Sequence, residues 1–353
     1  MNIRLRHFCL LLLFIFSFSS ILNAEDSSEV EEDYMTIDVS LKSGFMNGLI
    51  KEYVFSPTTI YYYEEGKQIS EFIKDFKMSE LDWEIKNLPI LNFSSDFDIL
   101  KYVYTGFTAS IGIPGIYGNM QDYDWLNPFY SDWMYDDPYE NTNYSCHDNK
   151  LDKYINFSFL LGGNINLPKD IKISLFAGYH FDYFCFTGYD GYTIYKSEDF
   201  EQKDMEKGRV ISYRVDTNTL LFGLKTVVDS IPRTRIAAGL YVSPGMASLN
   251  AFDFHYRNGD KYSQYGNAYW DKSEGAWQIQ ADLSIQYKFN YHHKLGLYGN
   301  LYYVPTSKST TFTKRLAKSG LPENGSWSQY TDGSAGGIDR FTWTISLNYS
   351  FLL

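Results

Sequence analysis

The clearest regularity in the chain is an alternation of apolar and polar side chains. Trp277, Ile279, Ala281, Leu283, Ile285, Tyr287 and Phe289 are interleaved with Gln278, Gln280, Asp282, Ser284, Gln286 and Lys288. A period of two over that length predicts a strand with one greasy face and one wet face. The same alternation occurs in Met35, Ile37, Val39 and Leu41, in Ile155, Phe157, Phe159 and Leu161, and in Ile171, Ile173, Leu175 and Ala177. It returns near the end as Phe341, Trp343, Ile345, Leu347, Tyr349 and Phe351. Strands read with their connectors number ten: 34–56, 67–90, 97–114, 150–164, 170–189, 208–228, 234–248, 274–291, 294–305 and 338–353. The connectors alternate too. Those at 229–233 and 291–293 are short, whereas 116–149, 190–207, 249–273 and 306–337 are long and rich in Gly, Asn, Asp and Tyr. An even strand count with short turns at one end and long loops at the other predicts an all-β, ten-stranded antiparallel transmembrane barrel. With the N-terminus periplasmic, the loops after the third and seventh strands emerge on the same outer rim.

Composition supports the membrane reading. The chain has 32 Tyr, 26 Phe and 7 Trp, 18% aromatic, yet its mean hydropathy is only -0.32. Lipid-facing apolar residues alternating with lumen-facing polar ones, with aromatic girdles at both interfaces, account for both values. Residues 1–24 read as a secretory signal peptide: Arg4 and Arg6 precede an apolar run from Leu10 to Phe18, and Leu22-Asn23-Ala24 leads into Glu25. Residues 25–33 form an acidic lead, and 34–353 the barrel domain. No later run of about 18 apolar residues offers a spanning helix. Without Arg4 and Arg6, 29 basic residues face 43 acidic ones, a formal charge of -14. Such a surface favours basic peptides and repels the phosphates of nucleic acid. Cys9 leaves with the signal, so a disulfide could involve only Cys146 and Cys185, whose meeting the sequence does not establish.

Two short segments on the outer rim carry candidate chemistry. Asp122-Tyr123-Asp124 follows the third strand, and if the chain stays extended there, both carboxylates share one face and can polarise a water or bind a cation. Taken alone, such a pair is more often merely solvated or turn-forming. Asp253-Phe254-His255 follows the seventh strand. The same spacing lets Asp253 bond one ring nitrogen of His255, orient it and raise its basicity, leaving the other to accept a proton. Cys146-His147-Asp148 is a poorer constellation, because adjacent residues of an extended chain point to opposite faces. His292-His293 sits in a turn, and His180 in a strand. Neither has metal-ligand spacing.

Gly118-Asn119-Met120 with Asp122-x-Asp124-Trp125, and Asp253-x-His255 ten residues after Gly245, resemble the omptins, aspartate-and-histidine endoproteases of Gram-negative outer membranes. Ser79-x-Leu81-Asp82-Trp83, Ala177-Gly178-Tyr179 and Tyr195-x-Ser197-Glu198 match in the same order. The resemblance implies a vase-shaped barrel, set in outer-membrane lipid, that cleaves peptides at its outer mouth with no metal or other cofactor. It implies His255 as general base, Asp253 as its orienter, and Asp122 with Asp124 positioning the attacking water and stabilising the tetrahedral intermediate.

By the same resemblance Glu52 receives the basic side chain before the scissile bond. Its usual acidic partner, two residues before the Asp of Asp-x-His, is Ala251 here, so the preference for Arg or Lys should be weaker or different. Asp132 corresponds, across a gap, to the acidic residue beyond the scissile bond. Omptins usually need lipopolysaccharide. At the positions of its Glu and Arg contacts in the fifth strand stand Phe181 and Tyr183, and at that of the sixth-strand Arg stands Asp216, so dependence on lipopolysaccharide is expected to be lost. The expectation is thus a monomeric surface endopeptidase of the outer membrane acting on basic peptides or proteins. The alternatives are a non-catalytic barrel acting as an adhesin or host-protein-binding antigen, and last a diffusion channel, since a ten-stranded lumen filled by side chains is narrow.

Overall fold

The computed structural model describes residues 35–99, 101–126, 139–197, 200–256, 265–317, 327–330 and 332–353. In chain order these form β1 (Met35–Glu64), β2 (Lys67–Ile99), β3 (Val103–Gly112), β4 (Gly115–Asp124), β5 (Asn143–Leu167), β6 (Ile171–Ser197), β7 (Phe200–Met205), β8 (Arg209–Val228), β9 (Thr234–His255), β10 (Tyr265–Lys288), β11 (His293–Ala317), β12 (Ser328–Gln329) and β13 (Ala335–Leu352). β3 and β4 are one barrel strand broken at 113–114, since both lie between β2 and β5. Every neighbour pair is antiparallel, and β13 pairs with β1 to close a ring of ten. Among the described residues β7 pairs only with β6, and β12 only with β11, as arms above the ring.

The alternation read from the sequence is turned inside out relative to a water-soluble fold. On β10, Ile279, Leu283 and Ile285 are 41%, 48% and 50% exposed, while Gln278 and Gln286 are 0% and 4% exposed. Apolar side chains face outward and amides face the lumen, which is stable only where lipid replaces water outside. The outward apolar band continues through Phe45, Phe93, Phe159, Leu220, Leu297 and Ile345. It occupies the half of each strand next to the short turns at 168–170, 229–233 and 289–292. β1 alone has 30 residues, against about 9 to 11 needed to cross a bilayer. The other half of the barrel therefore stands above the membrane.

The long loops proved shorter than the alternation suggested. Segments 115–124, 143–149, 190–197, 249–255, 265–273 and 306–317 are strand, and the second strand runs on to Ile99, so that 97–99 belong to it and not to the third. Above the bilayer both faces of a strand meet water or a polar lumen, and the apolar period that marks strands lower down fades.

Halfway up, aromatic side chains fill the lumen. Trp83 stacks on Tyr213 at 5.1 Å and on Phe186 at 5.7 Å, while Phe184 stacks on Tyr154 at 4.3 Å and on Phe186 at 5.4 Å. Arg340 lies 3.8 Å over the Tyr302 ring and donates to Asp182 at 2.5 Å. This plate lies beneath the outer mouth, where Tyr213 stands opposite Asp253.

Candidate active site

Asp122 and Asp124 are brought inward by a local irregularity in β4. Between Ile116 and Asn119 the register with β5 slips, and Gly118 there has φ +108. A side chain at Gly118 would be strained, and its Cβ would lie 2.7 Å from the Glu84 carbonyl oxygen. Beyond the bulge the strand pairs regularly, with Asp122 opposite Leu81 and Ser145, and Asp124 opposite Ser79 and Asn143. On the far wall a bulge at Gly245 (φ +68) and Gly275 (φ +76) resets β9 against β10. Above it Asp253 stands opposite Tyr213 and Tyr269, and His255 opposite Ile211 and Asn267.

The two walls meet in one cavity. Asp122, Asp124 and His255 line a space of about 180 Å³ together with Ser145, His147 and Tyr195, enough for several waters or part of a peptide. The His255 Nε2 is 2.5 Å from Asp253 Oδ2, so Nδ1 is the nitrogen left for a molecule in the cavity. Tyr269 meets the imidazole edge-on at 5.5 Å. Burial opposes the imidazolium, but the Asp253 carboxylate, then Asp122 and Asp124, outweigh it and raise the pKa of His255 above its ordinary value. Opposite, burial and then the charge of Asp124 push Asp122 well above the carboxylate range. Burial raises Asp124 as well, against hydrogen bonds from Ser79 and Asn143 that hold it down. Two neighbouring half-buried carboxyls whose pKa values are both raised favour keeping one of them protonated, the arrangement that lets one donate while the other accepts. An oriented base on one wall and an acid pair on the other can activate a water and stabilise the oxyanion it creates.

The four residues expected to carry chemistry therefore gather at one mouth. Glu52 is buried there too, 3% exposed, and neighbours Asp253 and Asp122 electrostatically. Asp132 lies outside the described residues. Cys146 and Cys185 are free thiols, and the thiol constellation is not assembled. Cys146 points away from the lumen, whereas His147 points in and bonds Ser145 Oγ at 2.9 Å. Missed from the sequence were Ser145 and His147 as cavity residues and Asp271 beside Glu52. Ser145 and His147 show the same spacing of two as the acid pair, a signal obscured because their segment was read as loop. Among the described residues no group of three or more His, Cys, Asp or Glu is placed to hold a metal ion.

The family model described as the Omptin family matches residues 32–351. The plasminogen activator of Yersinia pestis is 28% identical over 137 residues, 39% of this chain and 42% of that protein. Protease 7 of Escherichia coli (strain K12) is 27% identical over 174 residues, 49% of this chain and 48% of that protein. The chain thus spans about half the length of the curated relatives it matches. Among solved structures, the crystal structure of the outer membrane protease OmpT from Escherichia coli superposes with a TM-score of 0.72 and 20% identity, covering 93% of this chain and 100% of that one. That likeness is one of fold.

Proposed function

The chain belongs to the omptin family, and from that membership we propose that it is a surface endopeptidase of the outer membrane with its active site at the extracellular mouth of the barrel. The observation that carries this reading is the single cavity lined by Asp122 and Asp124 from β4 and by His255 from β9. His255 takes a proton from a water held against Asp122 and Asp124, and the water oxygen bonds to the scissile carbonyl carbon. The protonated carboxyl of the acid pair donates to the developing oxyanion. Asp253 stabilises the imidazolium, which passes its proton to the amide nitrogen as the C–N bond breaks. The step needs no metal or cofactor.

Basic peptides or proteins are the proposed substrates, on the strength of the acidic mouth, with Glu52 receiving a basic side chain. The enzyme acts as a monomer, in keeping with a closed ring that leaves no free sheet edge. It also acts without lipopolysaccharide. Asp216, at the position of a phosphate-binding Arg in the family, accepts from Asn250 at 2.8 Å, and a carboxylate there repels phosphate. Cleavage by the refolded protein only after lipopolysaccharide is added would contradict this part of the reading.

The test is hydrolysis of an internally quenched peptide containing paired basic residues by the purified, folded barrel. The wild type cleaves it, and His255→Ala loses about 10² to 10⁴-fold in kcat/KM while keeping its heat-modifiable migration on gels. A wild type that binds basic proteins without cleaving them would favour an adhesin instead.

A further inference from the structure

Beside the catalytic residues, deeper in the mouth, lies a second acidic group. Glu52 of β1 and Asp271 of β10 are 3% and 2% exposed, and each lies within electrostatic reach of the other. Neither is ion-paired with a lysine or arginine among the described residues. Asp271 is held by Ser309 Oγ at 2.9 Å and by Thr311. Gly336 makes room for it, since a Cβ there would overlap Asp271 Oδ1. These contacts make Asp271 a fixed, built-in carboxylate.

Two atoms of this group have no hydrogen-bond partner: Glu52 Oε2 and the hydroxyl of Tyr213. Tyr213 is 1% exposed, stands opposite Asp253 and lies within electrostatic reach of Glu52 and Asp271. Buried polar atoms without partners are costly. Acids, an idle carboxyl oxygen and a phenol gathered on one spot are stable only when a proton or a cationic donor is supplied. Burial, then the neighbouring charge of Asp253, drives Glu52 well above the carboxylate range, in the direction that favours its neutral form until a cation arrives.

The register shows where Asp271 comes from. It stands directly opposite Ala251 across the β9–β10 pairing, the position whose missing carboxylate led to the expectation of a weakened pocket. The acid has been moved one strand sideways, not lost. We infer that Asp271, with Glu52 and the Tyr213 hydroxyl, forms the pocket that receives the arginine or lysine side chain preceding the scissile bond. A guanidinium brings a planar fork of N–H donors to the idle oxygens and a positive charge to the two acids. This inference rests on the endopeptidase reading above.

The experiment compares two quenched peptides differing only at the residue before the scissile bond, arginine in one and the near-isosteric but neutral citrulline in the other. Wild-type protein prefers arginine. Asp271→Asn loses about 10²-fold of that preference, through KM more than kcat, and falls much less on the citrulline peptide. The double variant Ala251→Asp, Asp271→Ala returns the acid to β9 and restores the preference for arginine. A merely structural role for Asp271 would lower both peptides equally, and that result, or an unchanged preference in Asp271→Asn, would overturn the inference. Wild-type protein that cleaves neither peptide would instead overturn the endopeptidase reading itself.

Discussion

The lower lumen and the outer mouth both bury carboxylates, but they treat them in opposite ways. In the lumen, from the periplasmic end up to the aromatic plate, acids meet cations. Asp38 pairs with Lys294 at 2.5 Å and with Arg235 at 3.3 Å, Asp96 with Lys225 at 2.5 Å, and Asp182 with Arg340 at 2.5 Å. At the mouth, Asp253, Asp122 and Asp124 act on one imidazole, and Glu52 and Asp271 lie beside them. The wall beside them is paired again, with Lys51 on Glu80 and Asp82. Those lumen acids have lysine or arginine partners, whereas Glu52, Asp122 and Asp124 at the mouth have none among the described residues, and burial raises all three. Lumen pairs fill space without leaving a net charge, whereas the mouth keeps acidity for a substrate and a proton to answer.

The most severe disturbance of that contrast is expected at the acid bonded to the imidazole. Asp253→Asn should cost about 10² to 10⁴-fold in kcat/KM, because it removes the group that orients the base. It should also move the acidic limb of the rate profile. With His255 as the proposed base, activity needs it neutral and so should rise as pH passes its raised pKa. Without the Asp253 charge, burial pulls that pKa down, and the limb shifts to lower pH in a kcat/KM titration.

Stability separates the two regions next. Asp182→Ala leaves Arg340 buried without its partner and should destabilise the barrel by about 3–5 kcal/mol, whereas replacing both with apolar residues is close to neutral. Glu52→Gln relieves repulsion at the mouth, and its stability should stay within about 1 kcal/mol of wild type or rise. Denaturant titration followed by gel mobility reads all three.

Away from both regions little should change. Cys146 and Cys185 are unbonded and face outward. Serine at both should change peptide cleavage by less than about two-fold and stability by about 0.5 kcal/mol at most. A larger loss of activity would point to a thiol in the chemistry.

The lower barrel was legible in the sequence because lipid enforces the alternation. Ile279, Leu283 and Ile285 must be apolar because they face outward, and Gln278 and Gln286 can be polar only because they face the lumen. The four proposed catalytic residues were legible through spacing, since i and i+2 share a face on any strand. Asp271 was not. Two register slips between Glu274 and Gln278 separate it from the regular part of β10, so parity counted back from Ile279 does not tell which face it takes. Its partnership with Glu52 depends on β1 and β10 bringing side chains together inside the lumen, which no local pattern encodes.

If His255 and the Asp122–Asp124 pair act on one water from opposite walls, their contributions to the rate must be coupled. A kinetic double-mutant cycle with His255→Ala, Asp122→Asn and their combination, scored by kcat/KM on a basic quenched peptide, measures that coupling. Groups that work as a unit are strongly non-additive, so the double variant should be no slower than the worse single one. Losses that multiply, or a His255→Ala protein as active as wild type, would show that the two walls do not share a reaction.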